Sequence, residues 1–171
     1  MDDQDGTRRL AAPAYPDDRG EAPVELAAAL AGWREDPARY VEVLAALTDA
    51  RLLVPVVALL GEVEIDASGL ARDKTSDMAS VLLTGADGRA ALLAFTSMTT
   101  LQQWDADARP VPVEARVAAQ AALQDGAAAM VLDVAGPVTL VVQGEDLRAL
   151  AGGWTLTRVG EHSAWIRPGT P

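Results

Sequence analysis

Between Leu52 and Leu60 the chain reads Leu-Leu-Val-Pro-Val-Val-Ala-Leu-Leu, with no polar side chain. A helix needs about 20 apolar residues to cross a bilayer, so this run is about half the required length. Its short span and its β-branched content suit a strand. A strand apolar on both faces has to be covered on both, which predicts a mixed α/β (α+β) domain with helices flanking a mixed sheet. Pro55 lacks a backbone donor and is expected at an edge or a bulge of that strand.

The 171 residues fit one domain. Few aromatics and abundant alanine predict a core of Leu and Val with closely packed Ala. The formal charge of −11, with Lys74 the single lysine, argues against a nucleic-acid surface, because phosphate binding needs a cationic face. The arginines are too dispersed to supply one. With no cysteine, thiol catalysis, disulfides and thiolate metal sites are excluded. The start, Met1-Asp2-Asp3-Gln4-Asp5, is acidic where a secretory signal is basic, so a cytoplasmic protein without membrane contact is expected.

Residues 1–22 carry little that can be buried and are expected to form a disordered acidic tail, leaving 23–171 as the domain. Helices are expected from Val24 to Gly32 and from Pro37, a good first helical residue, to Ala50. Gly61–Asp77 has no periodicity and reads as a long acidic loop. Ser80–Thr84 and Arg89–Phe95 read as a hairpin closed by Asp87-Gly88. Thr96-Ser97 offers an N-cap for a helix from Met98 to Trp104. Asp105–Val111 reads as a loop, and Pro112 as the first residue of a helix to Asp125 that Gly126 stops. Ala128–Val134 and Val138–Val142 are expected to pair, a helix follows to Ala151, and residues 154–167 read as a terminal hairpin.

Several unusual segments occur in order: Lys74-Thr75-Ser76-Asp77-Met78-Ala79, Ala94-Phe95-Thr96-Ser97, Leu101 through Trp104-Asp105, Ala108-Arg109-Pro110-Val111-Pro112-Val113 and Asp133-Val134-Ala135-Gly136-Pro137-Val138. In these, over roughly residues 40–152, the chain resembles the SseB family, and their spacing resembles that of its actinobacterial members. The resemblance implies the fold of the SseB N-terminal domain, a mixed α/β unit. It brings no catalytic residue set with it.

The residues themselves give little chemistry. His162 is the sole histidine, with no Gly-x-Ser-x-Gly elbow in the chain, so it reads as a surface residue rather than a catalytic base. Asp73-Lys74-Thr75-Ser76 looks like the phosphorylated segment of ion pumps, but no nucleotide-binding motif accompanies it. Glu62, Glu64 and Asp66 alternate and in an extended chain would face one side, yet they lack the glycine and distal glutamate of a calcium loop. No cofactor and no metal is therefore assigned.

The expected role is a non-enzymatic interaction or regulatory module with an unidentified protein partner. The alternative is a small-molecule or metal-dependent activity using the acidic loop 62–77. For the first role, Lys74, Asp77, Met78, Trp104, Arg109, Pro110 and Pro112 are the candidate partner-binding residues. Trp and Arg are enriched in binding hot spots, and prolines preset a loop's shape. The competing reading is that Met78 and Trp104 are core residues and that Arg109 braces its own loop through Asp105 or Asp107.

Overall fold

A computed structural model describes residues 15–59, 77–159 and 162–169. Helix α1 (Val24–Glu35) buries Leu26 and Leu30, one turn apart, with Ala29 between them. Asp36 then accepts the Ala38 N–H at the start of a 3₁₀ turn, Pro37–Arg39, which feeds α2 (Tyr40–Thr48). The expected helix from Pro37 is thus a proline-led tight turn followed by an α-helix, and it buries Val43, Leu44 and Leu47.

The apolar run forms β1 (Arg51–Leu59), and the next described strand is β2 (Asp77–Ser80), antiparallel to it. Beyond Val81 the chain continues as β3 (Leu82–Thr84), turns at Gly85–Gly88, and returns as β4 (Ala90–Ala94). Gly88 holds φ +77°, the conformation expected of Asp-Gly in this hairpin. Arg89 pairs with the Asp87 carboxylate at 2.6 Å, which holds that carboxyl below its usual range.

Pro55 is not at an edge. It lies where three strands meet. Val81 donates its N–H to the Pro55 carbonyl (3.2 Å), while the Val81 carbonyl accepts from the Leu93 N–H (3.1 Å). Leu53 and Phe95 exchange both backbone bonds at 2.8 Å. Each strand therefore pairs with one neighbour before the junction and with another after it. In an antiparallel ladder the residue at position 55 would return a bond to the Val81 carbonyl, which Leu93 already fills. A residue without an N–H fits that place.

Helix α3 (Met98–Trp104) starts at Ser97, whose hydroxyl accepts the Thr100 N–H, as the N-cap reading expects. The expected loop Asp105–Val111 and the expected helix start at Pro112 give way to a strand. β5 (Arg109–Glu114) runs antiparallel along β1, with Pro110 opposite Pro55 and Pro112 opposite Leu53. Ala115 donates to the Ala50 carbonyl, so alternate residues 109, 111 and 113 face β1, and the donors that Pro110 and Pro112 lack belong to the open edge. Prolines there cost no ladder bond and block pairing by another strand. Helix α4 begins only at Ala115 and runs to Gln124.

β6 (Ala129–Leu132) lies parallel to β4, and β7 (Leu140–Gln143) is antiparallel to β6. α5 (Gly144–Ala151) and the hairpin β8 (Thr155–Val159) and β9 (His162–Ile166) complete the described chain. Alternation divides the core between the two faces of the sheet. Leu52, Val54, Leu92, Ala94, Met130 and Leu132 pack with α1, α2, α4 and α5. Leu53, Leu93, Phe95 and Val131 face the other way and pack with Leu101 of α3. Covering on both faces explains why consecutive residues Leu52, Leu53 and Val54 at the start of β1 are all apolar.

Candidate functional site

The candidate partner-binding residues fall into three environments. Lys74 lies outside the described residues, as does the acidic loop 62–76. Asp77 and Met78 stand on β2, opposite Leu59 and Ala58 of β1. Arg109, Pro110 and Pro112 stand on β5, on the other side of β1. The two segments thus share one three-stranded sheet with β1 between them, but they sit at different levels along it. Ser80 and Arg109 flank Val56, whereas Asp77 and Met78 lie beyond it toward Leu59, and Pro110 and Pro112 lie before it toward Leu53.

Trp104 is half-buried and stacks on Phe95, ring centroids 5.5 Å apart and tilted by 30°. It joins the α3 side of the core. Arg109 is exposed. The loop before it is braced by the Asp105 carboxylate, which accepts the Asp107 N–H at 2.9 Å. His162 is exposed at the start of β9, opposite Val159. Among the described residues no group of three His, Cys, Asp or Glu side chains could hold a metal ion.

Between the β2–β1–β5 sheet and α4 runs an open groove of about 610 Å³, walled by Val54, Val56, Leu82, Val111, Val113 and Val117. Its rim carries Gln124 and a hydroxyl–carboxylate pair, Ser80 Oγ to Asp125 Oδ2 at 2.6 Å. α4 explains why the groove stays open. The helix buries small side chains, Ala115, Ala118, Ala119 and Ala122, and so sits close to the sheet. Its larger apolar residues Val117 and Leu123 are each 41% exposed. Across the groove, Leu82 and Val111 are also exposed. Residue-by-residue reading selected β5 through its arginine and prolines and missed Val111 and Val117. The signal was present in α4, where valine and leucine alternate with alanines that fill the buried stripe.

A second polar centre joins two of the unusual sequence segments. Asp133 follows β6, is buried, and has φ +52°, a backbone state uncommon outside glycine. Its carboxylate accepts the Thr96 N–H at 2.9 Å and the Thr96 hydroxyl at 2.7 Å. Thr139 returns a hydroxyl bond to the Asp133 carbonyl. These bonds staple the carboxyl ends of the parallel strands β4 and β6. A small hollow of about 240 Å³ opens beside them, lined by Leu30, Ala31, Thr96, Ser97, Pro137 and Val138, with Arg34 at its wall. The carboxylate holds the strand ends in place, and both of its oxygens are engaged.

The expected tail docks over part of its length. Residues 1–14 lie outside the described residues, but Tyr15–Ala22 crosses the start of β1. Arg51, about nine-tenths buried, donates to Asp18 Oδ1 at 2.8 Å, to the Thr96 carbonyl at 2.9 Å and to the Glu21 carbonyl. Burial with added negative charge from Glu114 and Asp18 raises the Tyr15 phenol above its ordinary pKa.

Residues 26–149 match the family model described as SseB protein N-terminal domain. No curated protein and no solved structure matches the chain. The matched span runs from α1 into α5 and contains the three-strand junction, the groove and the Thr96–Asp133 staple. The chain therefore belongs to the SseB family.

Proposed function

We propose that this domain is a non-enzymatic protein-interaction module, and that it binds an apolar, cation-flanked segment of its partner in the groove between α4 and the β2–β1–β5 sheet. The observation that carries this reading is the inverted use of side chains on α4. Alanines are buried, while Val117 faces outward toward an equally exposed Val111 and Leu82. Each of these aliphatic side chains, about two-fifths exposed, forgoes roughly 0.5–1 kcal/mol of burial, which an apolar partner can recover. Contiguous exposed apolar surface with a polar rim is the usual form of an interaction site.

Charge selects the partner's flanks. The chain carries −11 formally, and Asp125 stands on the groove rim. Acidic surroundings steer cationic segments and repel anionic ones. The walls are hydrocarbon, which suits adhesion, and the hydroxyl and carboxylate at the rim are bonded to each other. Asp77, Met78, Arg109, Pro110 and Pro112 take a supporting role here, on the strands that frame the groove.

The test is a panel of amphipathic helical peptides with Leu/Val faces, half flanked by Lys and half by Glu. It is read by methyl NMR of the valines and leucines. Lys-flanked peptides should shift Val111, Val113 and Val117, and Val117→Asp should reduce affinity at least tenfold while moving Tm by less than about 2 °C, as for an exposed site. Absence of methyl shifts at the groove with every peptide, or unchanged affinity in Val117→Asp, would sink the proposal.

A further inference from the structure

The docked segment Tyr15–Ala22 precedes the residues that match the family model, whereas the groups that hold it lie within them. Arg51 comes from the start of β1. Thr96 comes from the link between β4 and α3, and Met98 is the first residue of α3. Together they form a socket. The Arg51 guanidinium is fixed by the Thr96 carbonyl at 2.9 Å and aims its second nitrogen outward at Asp18. The Met98 N–H donates to the Gly20 carbonyl at 2.7 Å.

The seated segment shows what chemistry the socket accepts. Asp18 closes a turn on itself by accepting the Gly20 N–H at 2.9 Å, and the same oxygen meets Arg51 at 2.8 Å. Gly20 sits at φ +75°, and a Cβ there would lie 2.2 Å from Met98 Cγ, so only glycine passes the Met98 side chain. The recognised unit is an Asp-x-Gly turn, with its carboxylate on a buried cation and its backbone on Met98. A charged pair with both side chains more than four-fifths buried gives such recognition its specificity, because losing either partner leaves an unpaired charge.

We propose that the Arg51–Thr96–Met98 socket is a binding site for an acidic Asp-x-Gly turn of a partner protein, and that residues 15–22 are its occupant within the chain. A partner turn gains the site when the segment leaves. The segment is placed to leave. Its docking bonds are those to Arg51 and Met98, and Pro16, Asp17, Arg19 and Glu21 are exposed, with Pro23 between the segment and α1. This surface lies at the Arg51 end of β1, away from the valine groove, and the inference does not rest on the function proposed for that groove.

The experiment uses the full chain and a labelled peptide of residues 15–22, Tyr-Pro-Asp-Asp-Arg-Gly-Glu-Ala. Gly20→Val expels the segment by clash with Met98. The folded variant should bind the peptide at least tenfold more tightly than the wild type. An Asn at the Asp18 position of the peptide, or Arg51→Lys in the Gly20→Val chain, should each reverse most of that gain. Equal binding by wild type and variant, or no binding by a variant whose amide spectrum stays native, overturns the proposal. Hydrogen exchange of the wild type gives an independent reading should Gly20→Val fail to fold. The Met98 amide, bonded to the segment, should exchange at least about a hundredfold faster than the Thr96 amide, bonded to Asp133, because the segment opens without the core. Equal exchange at the two amides would mean that the segment opens only with the whole fold, which also overturns the proposal.

Discussion

Thr96 gives both its backbone N–H, at 2.9 Å, and its hydroxyl, at 2.7 Å, to the carboxylate of Asp133, across 37 residues of sequence. The two residues follow the parallel strands β4 and β6, and Asp133 reaches Thr96 by taking a left-handed backbone conformation. Such a conformation costs of order 1–3 kcal/mol and persists only where its surroundings enforce it. Here two buried hydrogen bonds offset the cost.

Replacing Asp133 with Ala should therefore destabilise by about 2–4 kcal/mol, since a buried N–H and a buried hydroxyl lose their acceptor while the backbone strain stays. Asp133→Asn should cost less, because Asn tolerates positive φ and keeps one acceptor oxygen. Urea unfolding of the two variants checks the order. An Ala variant as stable as the Asn variant would remove the staple from the account.

Pro55 yields a counterintuitive expectation. Restoring a donor to a strand interior normally helps, yet here the carbonyl it would reach, that of Val81, already accepts from Leu93. Pro55→Ala should lower stability by about 1–3 kcal/mol, because the new N–H is buried without a free acceptor and the unfolded chain gains freedom. A rise in the denaturation midpoint would contradict the junction geometry.

Ser97 carries the cap of α3, accepting the Thr100 N–H at 3.1 Å, while the Thr100 hydroxyl accepts from the Ser97 N–H at 3.3 Å. Ser97→Ala should cost about 1 kcal/mol, and Ser97→Asp should recover most of it. Thermal unfolding separates the two. Equal loss in both variants would point to packing at this buried position rather than capping.

These cases mark where sequence stops informing structure. The Asp87-Gly88 turn and the Ser97 cap are local, set by residues within a few positions of one another. They were legible. Strand β5 was not, because prolines disfavour strands, and only the β1 neighbour shows that Pro110 and Pro112 keep their missing donors on the open edge. The docking of Asp18 on Arg51 and of Thr96 on Asp133 spans 33 and 37 residues, with no periodic signal to announce either. The groove was half legible. Its β5 wall drew attention through Arg109 and the prolines, whereas Val117 is conspicuous only once α4 is known to bury its alanines.

Tyr40 supplies a pH dependence whose direction follows from its surroundings. Its half-buried ring lies 6.0 Å from that of Trp33, and its hydroxyl donates to Asp146 Oδ2 at 3.1 Å. Trp165 of β9 donates its Nε1–H to the other oxygen at 2.8 Å, so Asp146 ties α2, α5 and the terminal hairpin together. Burial foremost, then the negative charge of Asp146 and the hydrogen bond to it, raise the Tyr40 phenol above its ordinary value. An unfolded tyrosine ionises near pH 10. Above that pH the unfolded chain has released a proton that the folded chain still holds, so stability is intact below about pH 10 and declines as pH rises further. Tyr40→Phe removes the proton and the bond to Asp146. The variant should be about 1 kcal/mol less stable than the wild type at neutral pH, the usual net worth of one hydrogen bond. Its stability should then fall less steeply above about pH 10, so that the two curves converge, with Tyr15 leaving a shared residual slope because its phenol is raised as well. Denaturation midpoints of both proteins between pH 7 and 11 check this. Curves that stay parallel across that range would mean that the Tyr40 proton is not held by Asp146 in the folded protein.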